Sequence, residues 1–240
     1  MRLRALIVVA LALSRPVLSI AQGDSPAKTD AVQKQPDASG PDNSTIIAGL
    51  KEALEISSTK AIAQTGKRDG FMQNEAIRIL LPSQLEGISK SMRLIGRGDE
   101  VDELEIGMNR AAEEATPQAK PIFLAELKKL TFNDPRLILN GGDTAATEYF
   151  RRASSADLSA AFTPIVHRSL ERLGVIKQYK RVLKNDPGGS AIANEFDLDK
   201  YVVEQTLEGI FSVLASEESD IRQNPSAQNS NLINKVFGGK

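Results

Sequence analysis

Asp99-Glu100-Val101-Asp102-Glu103-Leu104-Glu105-Ile106-Gly107-Met108-Asn109-Arg110-Ala111-Ala112-Glu113-Glu114-Ala115 is the stretch whose period decides the fold. Val101, Leu104, Met108, Ala111 and Ala115 recur at the spacing of one face of an α-helix. Asp99, Glu100, Asp102 and Glu103 crowd its first turn, where the helix macrodipole favours acids. The segment predicts a helix over 99–115. Thr116-Pro117 then reads as the cap and first residue of another helix, which turns Ile122, Phe123, Leu127 and Leu130 inward.

The same period extends in both directions. Upstream, Ile47, Leu50, Leu54, Ala61 and Ile62 share one face, between a cap at Asn43 or Ser44 and a stop at Gly66. Ile77-Arg78-Ile79-Leu80-Leu81 is short, apolar and followed by Pro82, so it reads as extended. Ser83 and Glu86 form a capping-box pattern that opens a helix with Leu85, Ile88, Met92 and Ile95 inward, ended by Gly96-Arg97-Gly98.

Downstream, Asp134-Pro135 starts a short helix that Gly141-Gly142 ends. Asp143 reads as the cap of a helix with Ala145, Ala146, Tyr149 and Phe150. Ser154 or Ser155 opens a longer one through Leu158, Phe162, Val166, Leu170 and Leu173, with a kink expected at Pro164. Gly174 separates it from a helix over 175–183, and 185–195 reads as a loop around Pro187-Gly188-Gly189. A long helix over about 197–222 carries Leu198, Val202, Ile210, Phe211, Leu214 and Ile221. Pro225 breaks it, and Leu232, Ile233, Val236 and Phe237 complete a terminal helix. About ten helical segments, short connections and no alternating strand pattern predict an all-α, orthogonal or bundle-like single domain over residues 44–240.

Two segments precede it. Arg2 and Arg4 stand before an apolar run over 5–13, and Ser19-Ile20-Ala21 offers small residues at a cleavage site. That is the pattern of a secretory signal peptide over 1–21, cut after Ala21. The run is shorter than the roughly 20 residues a membrane span needs. Residues 22–43 carry Pro26, Pro36 and Pro41, four aspartates and no aromatic residue, which predicts a disordered linker. Without the leader, 27 basic residues face 31 acidic ones, a net charge of −4 with histidine neutral. A mildly acidic chain has no electrostatic reason to bind nucleic acid. No apolar run of the mature chain reaches spanning length. There is no cysteine, so stability must come from packing rather than disulfides.

Most site chemistries fail by inspection. His167 is the only histidine, so a two-histidine zinc motif cannot be written. The triad elbow is absent, because Gly87-Ile88-Ser89-Lys90-Ser91 lacks its last glycine, and His167 reads as a structural residue. Asp197 and Asp199 with Glu208 mimic the ends of a calcium loop, but Val202 stands where that loop needs glycine. Asp197 or Asp199 as a helix cap is the commoner use. No cofactor or metal is expected.

Two polar constellations survive. Asn140, Gly141 and Gly142 feed a helix N-terminus, and two glycines there can turn backbone N–H groups towards an anion. Asp143 argues against this as a competing cap. Asn109, Arg110 and Glu113 sit on the opening helix, where Arg110 with Glu114 and Asn109 with Glu113 are one turn apart. Covered by another helix, these pairs become a buried network; bordering a cavity, they can hold a polar ligand.

Several of these motifs together resemble a known family. Asp69-Gly70-Phe71, residues 77–82, Met108-Asn109-Arg110-Ala111-Ala112-Glu113 with Thr116-Pro117, and Ile138-Leu139-Asn140-Gly141-Gly142-Asp143-Thr144-Ala145-Ala146-Thr147-Glu148-Tyr149-Phe150 carry the resemblance. Phe162-Thr163-Pro164-Ile165-Val166, residues 201–225 and Val236-Phe237-Gly238 extend it. Together they are similar to the bacterial domain of unknown function 4197. The resemblance implies an exported helical protein in a Gram-negative periplasm and assigns no activity and no site residue.

The expected function is a non-enzymatic periplasmic module that binds a partner protein or an apolar small molecule between helices, with Phe71, Phe123, Phe150, Phe162 and Phe211 as candidate lining, core packing being the commoner fate of each. The alternatives are a hydrolase using carboxylates such as Glu113 or Glu217, with or without a divalent ion, and an envelope scaffold.

Overall fold

A computed structural model describes residues 40–184 and 189–239; the expected leader and linker residues 22–39 lie outside them. Among the described residues the chain forms nine α-helices and no strand. They are α1 (Asn43–Thr65), α2 (Glu86–Leu94), α3 (Gly98–Lys129), α4 (Pro135–Leu139), α5 (Ala145–Arg172), α6 (Val175–Lys184), α7 (Gly189–Glu195), α8 (Leu198–Gln223) and α9 (Asn231–Phe237). The all-α expectation holds.

Four long helices make the core: α1 packs on α8 and α3, and α5 packs on α3 and α8. The apolar faces read from the sequence are the faces that meet, with Leu50, Leu104, Met108, Val166, Ile210 and Leu214 fully buried. Phe123, Phe150 and Phe211 bring α3, α5 and α8 together, with ring centroids 5.5 to 6.0 Å apart. Each such pair contributes about 0.5–1.5 kcal/mol beyond its buried area. The short helices close the periphery, α4 and α9 against α1, α2 and α6 against α3.

Four boundaries differ from the sequence reading, each for a local reason. Helix α1 starts one residue early, because Asp42 Oδ1 accepts from the Thr45 N–H at 2.7 Å and takes the cap position expected for Asn43 or Ser44. Helix α3 runs through Pro117 and Pro121 without restarting. A helix-interior proline costs about 3 kcal/mol, but Ala115, Ala119 and Phe123, before, between and after the two prolines, are buried. Thr116 Oγ1 also donates to the Ala112 carbonyl at 2.7 Å, turning back into the helix instead of capping a new one. Helix α5 likewise absorbs Ser154 and Ser155, whose hydroxyls donate to the Phe150 and Arg151 carbonyls at 2.7 and 2.6 Å. Finally, 189–195 is helical where a loop was expected.

The segment 77–82 is non-helical, as its pre-proline position predicts, yet it pairs with no strand. Its backbone is served by a side chain. Asn109 Oδ1 accepts from the Ile79 N–H at 2.9 Å and Asn109 Nδ2 donates to the Ile79 carbonyl at 2.7 Å.

Candidate functional site

Asn109, Arg110 and Glu113 project from the middle of α3 onto the connection between α1 and α2. Glu113 is buried, and its Oε1 accepts from the Phe71 and Met72 N–H groups at 3.1 and 3.0 Å. Arg110 Nη1 donates to Glu113 Oε2 at 2.6 Å, and Nη2 donates to Asp69 Oδ1 at 2.6 Å. The Glu113 and Asp69 carboxylates hold the guanidinium pKa above its ordinary value. Asp69 adopts a left-handed backbone, φ 66°, which few non-glycine residues do. The sequence reading paired these residues within α3, one turn apart. Instead Asn109 takes Ile79, Arg110 takes Asp69 and Glu113, and Glu114 turns away to Ser169 and Arg172 of α5.

The glycine turn is held by a second polar cluster, a clamp formed by Glu218 and Arg222 of α8. Asn140, Gly141 and Gly142 are exposed between α4 and α5. The N-terminus of α5 does hold an anion, and it is the chain's own Glu218. This fully buried carboxylate accepts from the Ala146 N–H at 3.0 Å and from the Thr147 N–H and hydroxyl at 2.6 Å each. Asp143, expected as the cap, accepts from Gln223 Nε2 instead. Arg222, 6% exposed, donates from Nε to Glu218 at 2.7 Å, and its Nη groups donate to the Leu139 and Ile138 carbonyls at 2.8 and 3.1 Å. One ion pair therefore places an anion at the start of α5 and a cation at the end of α4, as both helix dipoles favour. Sequence reasoning missed Glu218 and Arg222. The signal was present: 214, 218 and 221 share one helical face, so Glu218 stands in line with buried Leu214 and Ile221.

His167 joins α5 to α8, with Nδ1 2.5 Å from Asp199 Oδ2 and Nε2 3.5 Å from Glu171. It borders a cleft of about 430 Å³ that also includes Tyr179, Lys180 and Phe196. The hydrogen bond and charge of Asp199 raise the imidazole pKa above its ordinary value. Facing two carboxylates, this side chain favours its protonated form, in which it makes an ion pair between α5 and α8. Asp197, for its part, caps α8, accepting from the Lys200 N–H at 3.0 Å.

The candidate lining residues Phe71, Phe123, Phe150, Phe162 and Phe211 are all buried and fill the core. Large apolar side chains open to solvent lie elsewhere, among them Leu80, Leu94, Ile95 and Leu137. A cleft of about 460 Å³ opens between α4 and α5, lined by Leu137, Ile138, Ala145 and Tyr149, with Asp134, Glu148 and Arg152 around it. Leu137 is 70% exposed there. Tyr149 is fixed as a wall, because its ring stacks on Phe132 at 5.2 Å and its hydroxyl donates to the Thr131 carbonyl at 2.5 Å. The volume lies within the range of small-molecule sites, about 300–1,000 Å³.

The two acids of the hydrolase alternative have separate duties. Glu113 holds the 69–72 backbone, and Glu217 pairs with Lys60 at 3.1 Å and accepts from Gln64 Nε2 at 2.5 Å. Among the described residues no group of three histidine, cysteine or acidic side chains could hold a metal ion, and no helix is long and apolar enough to cross a membrane.

These features define a class: an all-helical domain whose buried carboxylates are spent on joining helices and whose open chemistry lies in surface clefts. The chain belongs to the family described as protein of unknown function (DUF4197), whose model matches residues 40–238. No curated protein and no solved structure gives a match.

Proposed function

We propose that this chain is an exported, non-enzymatic binding module of the periplasm, and that the α4–α5 cleft receives an apolar group of a partner protein or a small apolar molecule. The observation that carries the reading is Leu137. A large aliphatic side chain, 70% exposed on the edge of a cleft about 460 Å³ in volume, forgoes burial that its neighbour Ile138 obtains. Asp134, Glu148 and Arg152 form a rim of both charges, the arrangement of a small interaction site with an apolar centre. The buried acids support a binding role over hydrolysis, since their oxygens already serve backbone N–H groups and arginines. The leader pattern supports export.

Titration with an apolar fluorescent dye such as anilinonaphthalene sulfonate tests the cleft. The chain has no tryptophan to compete with the signal. Dye enhancement should be saturable for the wild type and lost in Leu137→Asp, with unchanged helical circular dichroism. Equal binding by both proteins would remove the reading. Export is checked by fractionating the source cells and weighing the periplasmic product, which should begin at Gln22.

A further inference from the structure

A different cleft, about 330 Å³ in volume, opens between α5 and α8. Arg151 and Ser159 form one wall, Glu204 and Glu208 the other, and Leu207 and Phe211 the floor. The two helices run antiparallel here, because Arg151 meets Glu208 while His167, further along α5, meets Asp199, earlier on α8. Arg151 and Glu204 therefore stand at opposite ends of the cleft. The Glu204–Glu208 spacing of one helical turn puts those ends about 6 Å apart along the axis.

The charges at the two ends are only partly used. The Arg151 guanidinium lies over the Phe211 ring at 5.2 Å, and its Nη1 donates to both Glu208 oxygens at 3.1 and 3.0 Å. Nη2 has no hydrogen-bond partner among the described residues, and Nε is buried without one. Glu208 is well exposed, so its hold on Arg151 is that of a surface pair and leaves the fork open to a second acceptor. At the other end, Glu204 has Lys200 as its ionic neighbour at 3.9 Å, with both side chains more than half exposed. Between the ends lie Leu207 and Phe211, 7% and 2% exposed.

We infer that this cleft binds a small zwitterion, a free amino acid or dipeptide with an apolar side chain. Its carboxylate pairs with Arg151 Nη2, its ammonium with Glu204, and its side chain lies on Leu207 and Phe211. The planar guanidinium suits the carboxylate end, since its fork can hold Glu208 and a second carboxylate together. The apolar floor sets the preference for aliphatic over charged side chains. The inference is independent of the α4–α5 cleft, with which this site shares no lining residue.

The test is calorimetric titration of the full-length mature protein with glycyl-leucine, with N-acetyl-glycyl-leucine amide as the uncharged control. The free dipeptide should bind saturably, with a Kd of about 1 mM or tighter, and the blocked one should not. Arg151→Met and Glu204→Gln should each weaken binding about tenfold or more, with unchanged thermal melting of Glu204→Gln confirming that the fold is intact. No saturation with the free dipeptide, equal binding of the blocked one, or indifference to Glu204→Gln would each overturn the assignment.

Discussion

At the residue scale the chain spends its buried charge on geometry. Glu218 and Arg222 are one turn apart on α8, and between them they meet two N–H groups, one hydroxyl and two carbonyls of the α4–α5 connection. Removing one partner of such a pair leaves the rest buried and unmatched, which costs about 3–5 kcal/mol. Glu218→Ala should therefore lower the urea unfolding free energy by that amount; a loss below about 1 kcal/mol would show that the pair is dispensable. His167 and Asp42 give the pH dependence, with opposite signs. Asp199 raises the folded pKa of His167, so its stabilisation is complete below the unfolded value of about 6.5 and fades as pH rises through the folded value. The Asp42 carboxyl is held at about 2 by the Thr45 N–H and the Ser44 hydroxyl, so its share is present above the ordinary value of 3.8 and fades as pH falls towards 2. As the only histidine, His167 has its own ring proton resonance, whose titration midpoint should lie above the random-coil value and return towards it in Asp199→Asn.

At the element scale, glycine positions separate propensity from packing. Gly87 lies in α2 with open space where a Cβ would sit, so Gly87→Ala should raise stability by about 0.5–1 kcal/mol. Gly209 lies in α8, where a Cβ would come within 2.5 Å of the Phe71 ring and 3.2 Å of Ile77. Gly209→Ala forces that junction apart and should cost about 1–3 kcal/mol. Urea midpoints of the two variants should move in opposite directions. The same contrast explains what could be read from the sequence. Helix faces were legible because apolar spacing is a local property, and Asp134, Gly174 and Pro225 mark boundaries by their own backbone chemistry. Pro117 and Ser154 misled because each is a good starting residue taken alone, and burial on both sides overrides it. Asp143 misled for a different reason: the carboxylate serving the start of α5 comes from Glu218, more than seventy residues away. Asn109, Arg110 and Glu113 were identifiable as a polar cluster in an apolar face, but their partners Asp69, Phe71 and Ile79 come from a segment without helical period.

At the scale of the whole molecule, the two ends of the described domain close on each other. Helix α9 packs on α1 so tightly that a Cβ on Gly49 would stand 2.5 Å from Val236 Cγ2. Phe237 lies under the Arg222 guanidinium at 5.2 Å and is 2% exposed. Arg222 in turn holds the α4 carbonyls and Glu218. The last helix thus covers the ion pair that fixes the α4–α5 turn, so a short terminal element shields a junction formed by three others. Phe237→Ala should cost about 3–5 kcal/mol through the cavity it leaves. Deleting residues 231–240 should do more than expose α1. Water reaching Arg222 and Glu218 weakens their hold on Ala146 and Thr147, and the start of α5 loosens with them. Amide hydrogen exchange should therefore speed up in α1 and also over residues 145–148, while the α3 amides facing the phenylalanine cluster change less. Faster exchange confined to the face of α1 that α9 covered would mean that the clamp stands without its cover, and the coupling between the chain end and the α4–α5 turn would fall.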